Sequence, residues 1–322
     1  MSLATIARSF CLEVKEFEAQ YKEHLSDFTT WDQREHADKW LVFPDNVGRK
    51  LSIDEISVTN GELYTIVTNK QAKGGKGALV AIVAGTKAVE VVAVLKKIPL
   101  ELRNQVIEVT LDMSNSMDVI IKQSFPNVVI VTDRFHVQQL VTEAVQEIRV
   151  ALRKKAIKSE SKAILKAKQK HRAYQPKTYT NGDTKKQLLA RSRYLLFKPG
   201  SKWTESQKHR SAILFQEFPE LQHAYNLSMS FRSWYENHTD KSQAKINLQT
   251  WYEKVEAEQI EPFQVAAESI KAYEDTILNY FHHRSTNAAA ESFNAKLKGF
   301  RALVRGVRDV KFFLFRVAKL YG

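Results

Sequence analysis

The sequence predicts an α/β fold, a mixed five-stranded sheet flanked by helices with a large helical insertion before the last sheet-packing helix. Three observations predict it. The hydrophobic period changes from helical to strand-like near residue 49. The elements then run strand, strand, strand, helix, strand, helix, strand, helix, and the alternating half of that order requires parallel strands. Residues 150–277 supply no sixth strand, and a dense segment from 278 returns the chain to the sheet.

The elements follow in order. Phe10, Val14, Phe17, Tyr21 and Leu25 recur at three- and four-residue steps, which predicts one buried helix face, and Trp31, Trp40 and WLVFP suggest a segment packed on a neighbour. KLSIDEISV is the first strand and LYTIVTNK the second, joined at Asn60-Gly61, where both residues tolerate positive φ. KGGKG turns the chain into the third strand, ALVAIVAG. This glycine run lacks the spacing of a nucleotide-binding loop. Thr86 is placed to cap the helix TKAVEVVAVLKKI, which Pro99 ends. VIEVTLD is the fourth strand, SNSMDVIIKQSF a helix and NVVIVTD the fifth strand. Val137, Leu140, Val141, Ala144, Val145 and Ile148 then form the apolar face of another helix. Near the end, Ser285 or Thr286 is positioned to cap a helix with the stripe Ala290, Phe293, Leu297 and Phe300. The expected segments are 1–48, helical; 49–149, the first part of the α/β domain; 150–277, a basic helical insertion; and 278–322, the domain's C-terminal helices.

Charge is unevenly spread. The chain carries 49 Lys+Arg against 36 Asp+Glu, a net +13. Residues 149–210 hold 19 basic against 3 acidic residues, and 296–319 hold 8 against 1, so the remainder is net acidic. Two basic blocks on an otherwise acidic chain point to a polyphosphate partner, with Arg153, Lys154, Lys155, Lys296, Lys298, Arg301 and Arg305 as candidate DNA contacts. A solvated helix face is the plainer reading of 149–172. One cysteine, Cys11, leaves no internal disulfide and no cysteine-rich zinc element. No run of about 18 apolar residues predicts a membrane span, and MSLATIARSF lacks a leader pattern, so a cytoplasmic, nucleoid-associated protein is expected.

Reactive groups in such sheets gather at strand ends. Asp54 lies in the first strand, Asp112 where the fourth gives way to MSNS, and Asp133 at the end of the fifth. If the first and fourth strands are neighbours, Asp54 and Asp112 repel unless a cation lies between them. Glu291, early in the last sheet-packing helix, is the candidate third acid. Mg²⁺ suits such an oxygen set. A lone strand-end Asp is more often a turn or cap residue; three acids at these places carry more than each alone.

The element order is similar to the ribonuclease H-like fold. IDE, LDMS, DRFHV and TNAAAESFNAKLKGFRALVRGVRD resemble the DDE transposases of bacterial insertion sequences, specifically the ISL-three family. The likeness runs from about residue 50 to the end and includes RYLLFKPGSKW and FPELQHAY. It implies catalytic, metal-holding acids at Asp54, Asp112 and Glu291, spaced by 58 and 179 residues, with Asp133 and His136 as a supporting D-x-x-H element. It further implies two Mg²⁺ ions, for which Mn²⁺ can substitute, and cleavage and strand transfer of DNA at the element's ends. Homo-oligomers acting on paired ends are expected. Relatives often carry a zinc element and a helix-turn-helix ahead of the catalytic part. Residues 3–25 are read as a remnant of the latter, with end recognition residing on a separate small chain or lost. Two alternatives stand: a structure-specific nuclease of the same fold, and a non-catalytic DNA-binding descendant. Trp203, Phe197, Tyr194, Trp234 and Tyr235 are core residues or, less in keeping with their surroundings, wedges for distorted DNA. His282-His283 reads as a packed or solvated pair.

Overall fold

The computed structural model describes residues 3–57, 61–304, 307 and 309–322. The chain divides into two compact units, Met1–Asp133 with Arg284–Gly322, and Arg134–His283.

The first unit is built on a mixed sheet of β1 (Trp40–Val42), β2 (Lys50–Ser57), β3 (Leu63–Asn69), β4 (Leu79–Ala84), β5 (Glu108–Leu111) and β6 (Val129–Thr132). Their order is β1-β4-β3-β2-β5-β6. The sheet therefore has six strands where the sequence predicts five. The addition is β1, which pairs antiparallel with β4 at the edge, and three residues are too short to show an alternating pattern. β2, β3 and β4 pair antiparallel, while β2–β5 and β5–β6 are parallel. The first and fourth predicted strands are thus neighbours.

Side chains alternate across the sheet, so each face has its own core. Leu51 and Ile53 of β2 pack with Val91, Val92 and Leu95 of α3 (Ala88–Leu95), while Met117, Ile120 and Ile121 come from a second helix on that face. A short α4 (Leu100–Asn104) precedes β5, and that second helix is α5 (Asn115–Ser124). Ile56, on the opposite face of β2, packs with Phe293, Leu297, Phe313 and Leu314.

The N-terminal segment departs from the single expected helix. It forms α1 (Leu3–Ser9) and α2 (Val14–Gln20), which a single turn of π-helix (Tyr21–Leu25) follows. Cys11 has φ +55, and the Glu13 carboxylate accepts the N–H groups of Lys15 and Glu16, so a new helix starts there. Phe10 and Leu25 consequently stand 73% and 66% exposed, outside any apolar face.

The second unit opens with α6 (Arg134–Gln169), followed by α7 (Lys185–Arg191), α8 (Glu205–Glu217), α9 (Pro219–Asn237), α10 (Lys241–Glu258), α11 (Glu261–Ala272), α12 (Glu274–Leu278) and α13 (Tyr280–His283). Its core is aromatic. Phe231 and Trp251 lie 4.7 Å apart by ring centroids and Trp234 and Tyr235 4.5 Å apart. Trp234 and Tyr235 are therefore core residues, and Trp203 is half-buried with its Nε1 donating to the Leu195 carbonyl. Tyr194 alone of the five singled-out aromatics is strongly exposed, at 66%.

The chain returns to the first unit through α14 (Ala288–Leu303) and α15 (Val310–Tyr321). Asp309 caps α15, accepting the Phe312 N–H, and binds the Lys22 ammonium at 2.6 Å. Burial would raise its pKa, but the Lys22 hydrogen bond and the cap N–H groups outweigh it and hold the carboxyl below its ordinary value. A lowered carboxyl contributes stability above the unfolded pKa and loses it as pH falls through the folded value. Asp309→Asn is expected to lower Tm near neutral pH and to leave it unchanged in strong acid, as thermal melts of both proteins across pH would show.

Candidate catalytic site

The parallel register sets the site. Ser52 of β2 lies opposite Thr110 of β5, which lies opposite Val131 of β6. Two residues further along each chain come Asp54, Asp112 and Asp133. All three stand at one level of the sheet, on the face that α14 covers, because the period of two returns each side chain to the side of its predecessor. The 58-residue spacing of Asp54 and Asp112 equals the register offset of their strands, Lys50 opposite Glu108.

Asp112 and Asp133 offer carboxylate oxygens within 4.8 Å of one another. Asp133 is 2% exposed; its Oδ1 accepts the backbone N–H of Asn287 at 3.0 Å, and its Oδ2 is buried with no hydrogen-bond partner among the described residues. Asp54 is half-buried, with Oδ2 accepting the Asn294 amide at 2.6 Å and Oδ1 accepting the Glu55 N–H at 2.7 Å. Burial, and then the Asp54 charge, raise the Glu55 pKa. Glu291 lies in the first turn of α14 and is exposed. Asp54, Asp112 and Glu291 do not form a set with mutually close oxygens among the described residues. His136 stands in the first turn of α6, three residues after Asp133 in the chain.

Asn287 and Asn294 show how α14 lies on the strand ends. Asn287 meets Asp133 of the β6 end, and Asn294 meets Asp54 of β2. Glu291 is four residues after the first and three before the second, so it shares their helix face. β5, whose end leads into Asp112, lies between β6 and β2.

Sequence reasoning missed the polar cluster beneath. Lys70, the residue after β3, donates to Thr110 Oγ1 at 2.6 Å and to Ser285 Oγ at 2.7 Å. Ser285 donates in turn to Glu108, whose carboxylate lies 3.5 Å from Lys50 Nζ and 3.7 Å from Lys70 Nζ. Burial lowers the Lys70 pKa, against the pull of Glu108. Ser285 thus ties the entry of α14 to the sheet, whereas Asn287 occupies the N-cap position expected of Ser285 or Thr286. The one available signal was Glu108, an acid inside the apolar run VIEVTL.

The basic candidates divide. Arg153, Lys154 and Lys155 are exposed on α6, and Lys298 is exposed on α14. Lys296 Nζ donates to the Gly74 carbonyl at 2.7 Å and Arg301 to the Ser57 carbonyl at 3.3 Å, so both serve internal contacts. Gly74, in the turn before β4, has φ +68, where a side chain would be strained and its Cβ would sit 3.1 Å from Lys296 Nζ. Arg305 lies outside the described residues, as does Asn60 of the predicted Asn60-Gly61 turn.

A family model described as a transposase, that of the ISL-three DDE group, matches residues 51–317. The chain belongs to the ISL-three family of DDE transposases. The match spans both units, from β2 into α15, and so includes Asp54, Asp112, Asp133 and Glu291. No curated protein matches this transposase chain at a significant level. Among the described residues, no helix of the transposase is long and apolar enough to cross a membrane.

The residues present fit a hard divalent cation. The donors at the strand ends are carboxylate oxygens, and buried polar atoms there want a partner: Asp133 Oδ2, both side-chain polar atoms of Asn287 and Asn294 Oδ1 have none among the described residues.

Proposed function

We propose that this transposase cuts DNA at the ends of its mobile element and joins them to target DNA, with Asp54, Asp112 and Glu291 holding two Mg²⁺ ions. The single observation that carries this reading is the course of α14. The helix spans from Asp133 to Asp54 through backbone and side-chain bonds, with Glu291 on the connecting face. The strand order β4-β3-β2-β5-β6 supports the assignment of a ribonuclease H-like core, with β1 as an added edge.

Bound divalent cations would offset phosphate charge and lower the pKa of an attacking hydroxyl or water. The chain's own residues do the rest. Asn294 orients the Asp54 carboxylate. Asp133 fixes the N-terminus of α14, and the Lys70–Glu108–Ser285 cluster holds the segment leading to it. Exposed lysines and arginines on α6 and Lys298 on α14 neutralise DNA phosphates, a salt-sensitive contact without base specificity. A substrate with two ends calls for at least two copies.

The test is cleavage of an element-end duplex with Mg²⁺ and with chelator, followed by insertion of pre-cut ends into a second DNA. Metal-dependent cutting and joining are expected. Cutting without joining would leave only a nuclease, and binding indifferent to metal and to Asp54→Ala would leave a non-catalytic DNA-binding protein.

A further inference from the structure

Some basic side chains in the second unit have acidic partners. Arg134 faces Glu236, Lys186 faces Glu160, and Arg191 and Arg210 both bind the buried Asp183. Three arginines that stand together have none. Arg149 on α6 is only 7% exposed, and its guanidinium donates to neutral acceptors, Gln146 Oε1 at 2.7 Å and the Leu189 carbonyl at 2.8 Å. Burial lowers its pKa, and the adjacent charges of Arg193 and Arg153 lower it further. Among the described residues, no carboxylate lies within salt-bridge distance of Arg149, Arg153 or Arg193.

Two exposed guanidiniums beside a buried one repel, and no carboxylate among the described residues offsets them. Such a cluster is stabilised by an anion from outside, and planar guanidinium forks match phosphate oxygens. Gln146 also donates to the Arg193 carbonyl at 3.4 Å, fastening the 193–194 segment to α6. Beside it stands Tyr194, 66% exposed, with the Arg193 guanidinium 5.5 Å from its ring centroid. An exposed aromatic ring in a cationic setting offers a stacking platform, and only a base outside a duplex can use it.

We propose that Arg153, Arg193 and Tyr194, with the buried charge of Arg149 behind them, form a seat for a single-stranded stretch of DNA, the two exposed arginines holding successive phosphates and Tyr194 stacking on an unpaired base. The seat deepens the DNA-cutting reading, on which it rests for the identity of the polyanion.

The test uses the full chain in chelator, so that binding is read apart from cleavage. Anisotropy would compare a blunt duplex with the same duplex bearing a short single-stranded extension, across a salt series. The wild type should prefer the extended DNA about tenfold, Tyr194→Ala should erase that preference, and Tyr194→Phe should keep it. Arg153→Gln with Arg193→Gln, both at exposed positions, should reduce the slope of log affinity against log salt by about 1.5. An undiminished preference in Tyr194→Ala, or an unchanged slope in the double variant, overturns the seat. Cleavage with Mg²⁺ is measured in parallel. Failure to cut with the seat's behaviour intact sinks the transposase mechanism alone, and normal cutting with unchanged binding by the variants sinks the seat alone.

Discussion

Asp112→Asn is expected to lower the rate of element-end cleavage roughly a thousandfold, equivalent to about 4 kcal/mol of lost transition-state stabilisation. The amide keeps the shape of the carboxylate and removes the charge that would hold a cation. The folded protein should not suffer. Asp112 and Asp133 offer oxygens within 4.8 Å of one another, and neutralising one of two close carboxylates relieves repulsion in the metal-free protein. The melting temperature without metal should therefore hold or rise. The increase that Mg²⁺ produces in the wild type should shrink, because binding to the native state is what raises it. Asp133→Asn makes the contrast. An asparagine oxygen still accepts the Asn287 N–H, so α14 stays in place and part of the activity survives. Full activity in Asp112→Asn with none in Asp133→Asn would transfer the second metal-holding role to Asp133.

Glu108→Gln is expected to cost about 3–5 kcal/mol of stability, because it leaves the largely buried Lys70 without its counter-charge. The Glu108 side chain is 3% exposed and that of Lys70 13%. Urea unfolding would measure the loss, and the pair Glu108→Leu with Lys70→Met should recover most of it. The deficit should shrink as pH rises, since an unpaired Lys70, already lowered by burial from its ordinary 10.5, gives up its proton sooner. A loss below about 1 kcal/mol would mean the cluster is worth no more than an exposed ion pair.

The acids were legible in the sequence because strand ends are. IDE, LDMS and VTDRFH each place an Asp where an apolar run stops or alternates, and the separation of Asp54 from Asp112 matches a parallel register. Local period revealed β2 to β6 for the same reason. It did not reveal β1, whose three residues show no alternation, nor the break at Cys11, where heptad-like spacing continues through a backbone that turns aside. Of the Lys70–Glu108–Ser285 cluster only Glu108, an acid in an apolar run, left a trace in the sequence. Its members are far apart in the chain, and a hydrogen bond between residues 108 and 285 leaves no mark on the neighbours of either. The bonds from Asn287 and Asn294 are of that kind too, although NAAAESFN had flagged the helix that carries them.

The late arrival of α14 bears on how the protein is made. Glu291 follows Asp133 by 158 residues, so a ribosome has displayed all six strands and the whole second unit before that acid emerges. Until then, a nascent or prematurely terminated polypeptide has the aspartates but not the glutamate. On the proposed assignment such a product lacks one of the three metal-holding acids and is expected not to cut DNA.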